Sequence, residues 1–195
     1  HYFVITLDML GFGLSDKPIN ATYKITEQAD LYTQFLKTLN INDVHILAHD
    51  YGDTVAQELL ARQVVSQSDF KINSVCFLNG GLFPEVHKPL FIQKLLLSKL
   101  GWIVPKLMNK QKFANNLVTI FSKSTPPSKQ VVDTLWELLI HKDGLAVMPK
   151  LISYIKQRQQ NRERWVGAII NSNIPLTFIA GAEDPISGKH MIEHY

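Results

Sequence analysis

The stretch that decides the reading is "ILAHDYGDTVAQELLAR", Ile46 to Arg62. It opens as an apolar run of strand type. From Tyr51 it turns helical, with Val55, Ala56, Leu59 and Leu60 on one inner face. The spacing predicts a strand, a sharp turn and a helix, with Asp50 at the apex. A turn this tight needs small neighbours, and Ala48 and Gly52 supply them, in the pattern small-x-nucleophile-x-Gly. The apex also sits at a helix N-terminus, where backbone N–H groups favour an anion. A serine there would need a base and would attack a carbonyl. A carboxylate is already charged and can displace a leaving group from saturated carbon, leaving an ester on Asp50. Water activated by a histidine would then attack that ester. The Tyr51 backbone N–H stands where the resulting oxyanion would need a donor.

Outward from the turn, strand and helix alternate. Tyr2–Leu7 reads as a buried strand ending at Asp8, and "DMLGFGLSDKP" as a loop that Asp8 caps. A helix is expected from Thr26, with Glu27 and Asp30 in its first turn and Tyr32, Phe35, Leu36 and Leu39 on its apolar face. "DVHILAH", "INSVCFLN" and "IPLTFIAG" read as further strands. Nearly continuous apolar strands alternating with helices imply a parallel sheet covered by helices on both faces. Residues 84–170 show only helical spacing and are expected to form a helical cap. It would be inserted between a first core part, residues 1–83, and a second, residues 171–195. Asp184, in "AGAEDPIS", follows the last strand, where an acid that orients a histidine belongs. Both aspartates then lie at the carboxyl ends of strands, where open α/β sheets form their sites.

The bulk numbers exclude several classes. The 195 residues suit one domain or most of one, and 46% hydrophobic content supports a globular core. A net charge of +3 without a basic stripe argues against a nucleic-acid partner. Cys76 is the lone cysteine, so no internal disulfide forms, and it reads as a small core residue. No run is apolar and long enough to span a membrane, and no leader is visible at His1, which reads as mid-domain. Asn20-Ala21-Thr22 fits a glycosylation pattern of a kind that arises by chance. No metal-ligand spacing, phosphate loop or dinucleotide fingerprint occurs, so no cofactor and no metal are expected. His49 reads as a packed neighbour of the apex rather than a base. Asp53 starts the helix and reads as satisfying backbone N–H groups or pairing with a neighbour. "KQRQQNRERW" reads as a solvated helix face, and Trp102, Trp136 and Trp165 as packing. "PLFIQKLLLSKLGWIVPKLM" reads as cap core, with peripheral membrane contact as the lesser reading.

"DMLGFGLSDKP", "AHDYGDTVAQELLAR" and "AGAEDP" together resemble the α/β-hydrolase fold, in its epoxide hydrolase and haloalkane dehalogenase branch. "HDYGDTVAQELLAR", "NGGLFPEVHKPLFIQKLL" and "NRERWVGAI" resemble the mesoderm-specific transcript family within it, over most of the chain. The resemblance implies a cofactor-free hydrolase acting on a small apolar epoxide-like or ester-like substrate. It also implies a parent protein associated with the endoplasmic reticulum membrane. In that branch cap tyrosines protonate the opening epoxide, and Tyr154 is the candidate here. Dehalogenases place a tryptophan after the nucleophile, and Tyr51 stands there instead, which favours an epoxide over a halide. The family's His-Gly oxyanion segment would precede residue 1. Its catalytic histidine would fall roughly 25 residues past Asp184, too far for His190 or His194. The chain is therefore expected to be a fragment, lacking the first strands and the last and inactive as it stands. A non-catalytic binding or membrane-associated protein on the same fold is the alternative reading, and a haloalkane dehalogenase-like hydrolase is another.

Overall fold

The elbow stretch folds as its spacing predicts. In the computed structural model, which describes residues 2–195, β1 (Asp43–His49), β2 (Lys71–Leu78) and β3 (Leu176–Ile179) form one parallel sheet in that order. His49 pairs with Leu78 and Leu78 with Ile179, so the three strands end together. The loops that follow them share one sheet edge, which is what brings distant residues to one place.

Tyr2–Leu7 is not a strand. A strand exists only within a ladder of backbone hydrogen bonds, and the ladders among the described residues join β1 to β2 and β2 to β3. Tyr2, Phe3 and Val4 are exposed, against the buried run their composition suggested.

Two helices on the sheet side match their sequence signals. α1 (Ile25–Thr38) buries Ile25, Gln28, Ala29 and Leu36. It stops where Asn40 turns left-handed, at φ 55°, and Ile41 N–H returns to the Leu36 carbonyl at 2.9 Å. Leu39, expected on the apolar face, therefore falls outside the helix and is exposed. α2 (Tyr51–Val64) is buried on every side from Asp53 to Ala61, because it lies against α1 and both neighbouring strands and a later helix covers it as well.

Packing divides the chain into two units. The sheet unit takes Lys24–Leu90 and Ser153–Tyr195. The other unit takes Phe91–Ile152 with the residues up to Tyr23. That second unit holds α3 (Phe91–Leu97), α4 (Val104–Leu107), α5 (Lys110–Val118), α6 (Lys129–Ile140) and α7 (Gly144–Leu151). Its small core joins Tyr23, Val147 and Leu151, with Leu10, Phe12 and Ala21 packed against them. Gly11, at φ 94°, sits so close to Tyr23 and Leu151 that a Cβ would lie 2.7 Å and 2.8 Å from their side chains. Asp8 accepts the Leu14 N–H at 2.8 Å and closes the loop as expected of a cap.

The sheet unit also holds α8 (Tyr154–Gln160), α9 (Arg162–Asn171) and α10 (Lys189–Ile192). α9 is the helix that covers α2. "KQRQQNRERW" spans α8 and the start of α9, and most of it is the solvated face its composition suggests, with two exceptions. Arg158 and Trp165 are each only 2% exposed, because both turn toward α2. Trp136 is half-buried and packs on Phe113 at 5.7 Å. Trp102 is exposed, a correction to its reading as packing, because Gly101 and Val104 take the buried side of that turn. Cys76 is half-buried on β2 rather than fully in the core.

Candidate active site

Asp50 sits between β1 and α2 with φ 48° and ψ −103°. A side chain held at positive φ in so tight a turn costs on the order of 1–3 kcal/mol, and the surroundings must hold it there. Four contacts do so. Asp50 N–H donates to the Leu78 carbonyl at the end of β2, at 3.2 Å. The Asp50 carbonyl accepts from Asp53 N–H at 3.2 Å and from Arg158 Nη2 at 3.0 Å. The Tyr154 hydroxyl donates to Asp50 Oδ1 at 3.3 Å, a long bond for a hydroxyl donor. Asp50 itself is exposed.

α8 supplies Tyr154 and Arg158 one turn apart, so both reach the same elbow. Tyr154 is 5% exposed, and burial, then the Asp50 charge, push its phenol well above the usual tyrosine range. It keeps its proton at neutral pH. Its ring packs edge-on against Tyr51 at 5.1 Å and lies under the Arg158 guanidinium at 4.5 Å. Arg158 Nε donates to Thr54 Oγ1 at 2.6 Å. Its buried Nη1 has no hydrogen-bond partner among the described residues. Gly81 must stay small beside it, since a Cβ there would lie 2.3 Å from Nη1 and 2.6 Å from His87 Nδ1.

Asp184 is held firmly in the turn after β3. Its Oδ2 accepts from Asn79 Nδ2 at 2.6 Å, and its Oδ1 accepts from the N–H groups of Ile186 and Ser187 at 2.7 Å and 3.1 Å. Asn79 follows β2 at φ 48°, so the ends of two strands meet at this carboxylate. His190, on α10, contacts the Ile186 carbonyl, and His194 contacts Glu85 and packs on Phe83. His87 has both ring nitrogens buried without a hydrogen-bond partner among the described residues. Burial, then the charges of Arg158 and His190, push its pKa down to about 4, so the ring is neutral at pH 7.

Two readings of the elbow's neighbours change. His49 is exposed rather than packed, because the alternation along β1 turns it, with His45 and Leu47, to the exposed face. Asp53 does accept a backbone N–H, but that of Leu78 on β2, at 3.4 Å, rather than one of its own helix. Its other oxygen has no hydrogen-bond partner among the described residues. Burial pushes its pKa up to about 8.

The carboxylates Asp50 and Asp184, the phenol of Tyr154 and the N-terminus of α2 thus gather at one sheet edge. Arg158, Asn79 and His87 were not singled out from the sequence. Asn79 had a signal, since it ends a strand beside the expected site. Arg158 had none, being one cation in a polar helical run. Two surface hollows, one along residues 159–164 and one reaching from Asn42 to Lys71, include neither aspartate. Among the described residues no group of three or more His, Cys, Asp and Glu side chains could hold a metal.

The fold finds its counterpart among known proteins. The family model of the alpha/beta hydrolase fold matches residues 1–195. The chain belongs to that family. Among its members, the mesoderm-specific transcript protein of Mus musculus is 43% identical over 189 residues, 94% of this chain and 56% of that protein. LipZ of Mycobacterium tuberculosis, which bears a hydrolase name, is 36% identical over 96% of this chain and 65% of that protein. The chain spans a little over half the length of the mesoderm-specific transcript proteins it matches. Among solved alpha/beta hydrolases, the haloalkane dehalogenase DatA of Agrobacterium tumefaciens superposes with a TM-score of 0.66 over 88% of this chain and 60% of that one, at 16% identity. The epoxide hydrolase CorEH superposes with a TM-score of 0.60 over 89% of this chain and 62% of that one, at 14% identity. At these identities the likeness is one of fold.

Proposed function

We propose that this chain is the nucleophile-bearing part of an epoxide hydrolase. Asp50 attacks an epoxide carbon and forms an alkyl ester as the carbon–oxygen bond of the ring breaks. Tyr154 gives its proton to the oxygen that leaves. The observation that carries the reading is the Tyr154 hydroxyl on the carboxylate of an aspartate at a strained elbow, at 3.3 Å. An acid and a nucleophile so paired suit a substrate that needs both at once. Arg158 supports the same chemistry by gripping the Asp50 carbonyl and stacking on Tyr154. In the second step water attacks the ester carbonyl, the Tyr51 N–H steadies the oxyanion, and the diol departs. The base for that water is a histidine outside residues 1–195, oriented by Asp184. The hydrolase family supports a small organic substrate, and the tyrosine donor narrows the choice to an epoxide.

The test is peptide mass analysis of the full-length protein after exposure to a panel of epoxides, with the hydrolytic histidine replaced. The reading expects an added mass on Asp50, lost in Asp50→Asn and slowed in Tyr154→Phe. No adduct from any epoxide, with one from haloalkanes, would replace the reading by a dehalogenase. No adduct from either class would turn it toward a non-catalytic member of the family. The endoplasmic reticulum address rests on the family resemblance alone, since no helix of the described residues is long and apolar enough to cross a membrane. Microscopy of the tagged protein tests it, and diffuse staining would contradict it.

A further inference from the structure

Two buried acceptors of α2 take no part in the chemistry above. Asp53 and Gln57 stand one turn apart, and both are sealed from water. Both reach the short segment that follows β2. Asp53 Oδ2 lies against Gly80, where a Cβ would run into it. Gln57 Nε2 donates to the Leu82 carbonyl at 3.1 Å, which settles which end of that amide is the oxygen. Asp53 Oδ2 and Gln57 Oε1 are then two buried acceptors with no hydrogen-bond partner among the described residues. An acceptor buried without a donor is costly. A single proton serves both. On Asp53 Oδ2 it makes the carboxyl a donor, and Gln57 Oε1, one turn along, is an acceptor in need of one.

The other oxygen of Asp53 ties the elbow down. Leu78 N–H donates to Asp53 Oδ1 at 3.4 Å, Asp50 N–H donates to the Leu78 carbonyl at 3.2 Å, and Asp53 N–H donates to the Asp50 carbonyl at 3.2 Å. These three bonds close a ring through Asp50, Asp53 and the end of β2. A donor comes closer than 3.4 Å to a carboxylate, so that length suits a neutral carboxyl. The charged groups that face Asp53 are Arg158 on α8 and Asp50 on the turn. Arg158 spends its Nε on Thr54 and its Nη2 on the Asp50 carbonyl. Burial outweighs its pull, with the Asp50 charge on the side of burial, and Asp53 holds its proton up to about pH 8.

We propose that Asp53 is a positioning residue for Asp50: as a neutral acid it shares its proton with Gln57, closes the ring that sets the turn, and leaves the charge at the head of α2 to the nucleophile. Once ionised, it loses the bond to Gln57 and sets a second carboxylate beside the first. The geometry of attack is lost with it. The inference rests on the reading of Asp50 as a nucleophile.

The experiment follows labelling of Asp50 by an epoxide across neutral and alkaline pH, in the full-length protein with the hydrolytic histidine replaced. The rate is expected to fall about tenfold per pH unit above the Asp53 pKa of about 8, while circular dichroism shows the fold intact. Asp53→Asn keeps a donor for Gln57 and an acceptor for Leu78, so it should keep the neutral-pH rate and lose the alkaline fall. Asp53→Leu keeps neither and should be slower by roughly 100-fold at every pH, with epoxide affinity little changed. If that variant does not fold, the Asp53→Asn profile decides. A carbon-13 titration of aspartate-labelled protein needs no epoxide. The Asp53 carboxyl carbon should titrate near pH 8, the Asp50 signal should move with it, and Gln57→Leu should shift both midpoints down. An alkaline fall that persists in Asp53→Asn, a fall that coincides with unfolding, or an Asp50 signal indifferent to Asp53 would each overturn the proposal. Failure of every epoxide to label the protein would instead sink the epoxide reading, and the carbon-13 titration would still decide this one.

Discussion

The two halves of α2 treat buried acids in opposite ways. At its start Asp53 is sealed from water with one long bond from Leu78 N–H and an oxygen left over, and its pKa rises to about 8. Five residues on, Glu58 is 2% exposed and fully engaged. Arg62 Nε reaches it at 3.0 Å, Arg164 Nε at 2.8 Å and Trp165 Nε1 at 2.8 Å. Burial pushes the Glu58 pKa up, but those hydrogen bonds outweigh it and hold the group below the usual range. Burial alone therefore does not decide a carboxylate's state, and the donors around it do. The saturated end holds α1, α2 and α9 together, with Arg62 also pairing to Asp30 at 2.7 Å. The unsaturated end is the one beside Asp50, where strain, an orphaned oxygen and an unpartnered Arg158 nitrogen collect. Functional sites concentrate such defects, and the rest of the fold must hold them.

Breaking the saturated end should cost most. Glu58→Ala leaves two arginines and an indole N–H without their acceptor, and should lower stability by about 3–5 kcal/mol in denaturant unfolding. A loss near that of an ordinary surface change would erase the contrast.

The pH dependence of Asp53 sharpens it. Its folded pKa of about 8 lies above the ordinary 3.8, so the folded state binds the proton more tightly. The stabilisation is complete below the lower value and is lost as pH rises through the upper one. Asp53→Asn should flatten that slope and gain on the order of a few kcal/mol over wild type at alkaline pH. Parallel slopes in melts across this range would show Asp53 to be ionised in the fold.

Arg158→Lys keeps the charge but gives up the two-pronged grip on Thr54 Oγ1 and the Asp50 carbonyl. The rate of ester formation should fall by about 10–100-fold with little change in substrate binding. An unchanged rate would make Arg158 a packing residue only.

The smallest effect is a gain. Asp50→Gly relaxes the positive φ and should raise stability by about 1 kcal/mol while abolishing ester formation. Such a trade is expected where strain serves function.

Much of this was legible in the sequence. Asp50, Tyr51, Asp184 and the strands β1 to β3 follow from period, small neighbours and position in an alternating chain. Tyr154 was named through a family's habit, and its contact with Asp50 needed the fold. Tyr2–Leu7 had the composition of a strand, but composition cannot supply a ladder partner. Arg158 and Arg164 look alike in "KQRQQNRERW", and only the packing of α8 and α9 against α2 separates one that grips the elbow from one that neutralises Glu58. The exposed face of α3 and α4, which bears Phe91 and Leu107, misled in the same way, since apolar spacing says that a helix has a greasy side without saying that anything covers it.

The central claim is that Asp50, not water, attacks the substrate. Full-length protein taken through turnover in oxygen-18 water with an epoxide that labels Asp50 tests it directly. If Asp50 attacks, water's oxygen ends in the Asp50 carboxylate, and the diol from a first turnover carries ordinary oxygen. A diol labelled on the first turnover, with Asp50 unlabelled, would mean that water attacks the epoxide itself, and the account of the elbow would be wrong.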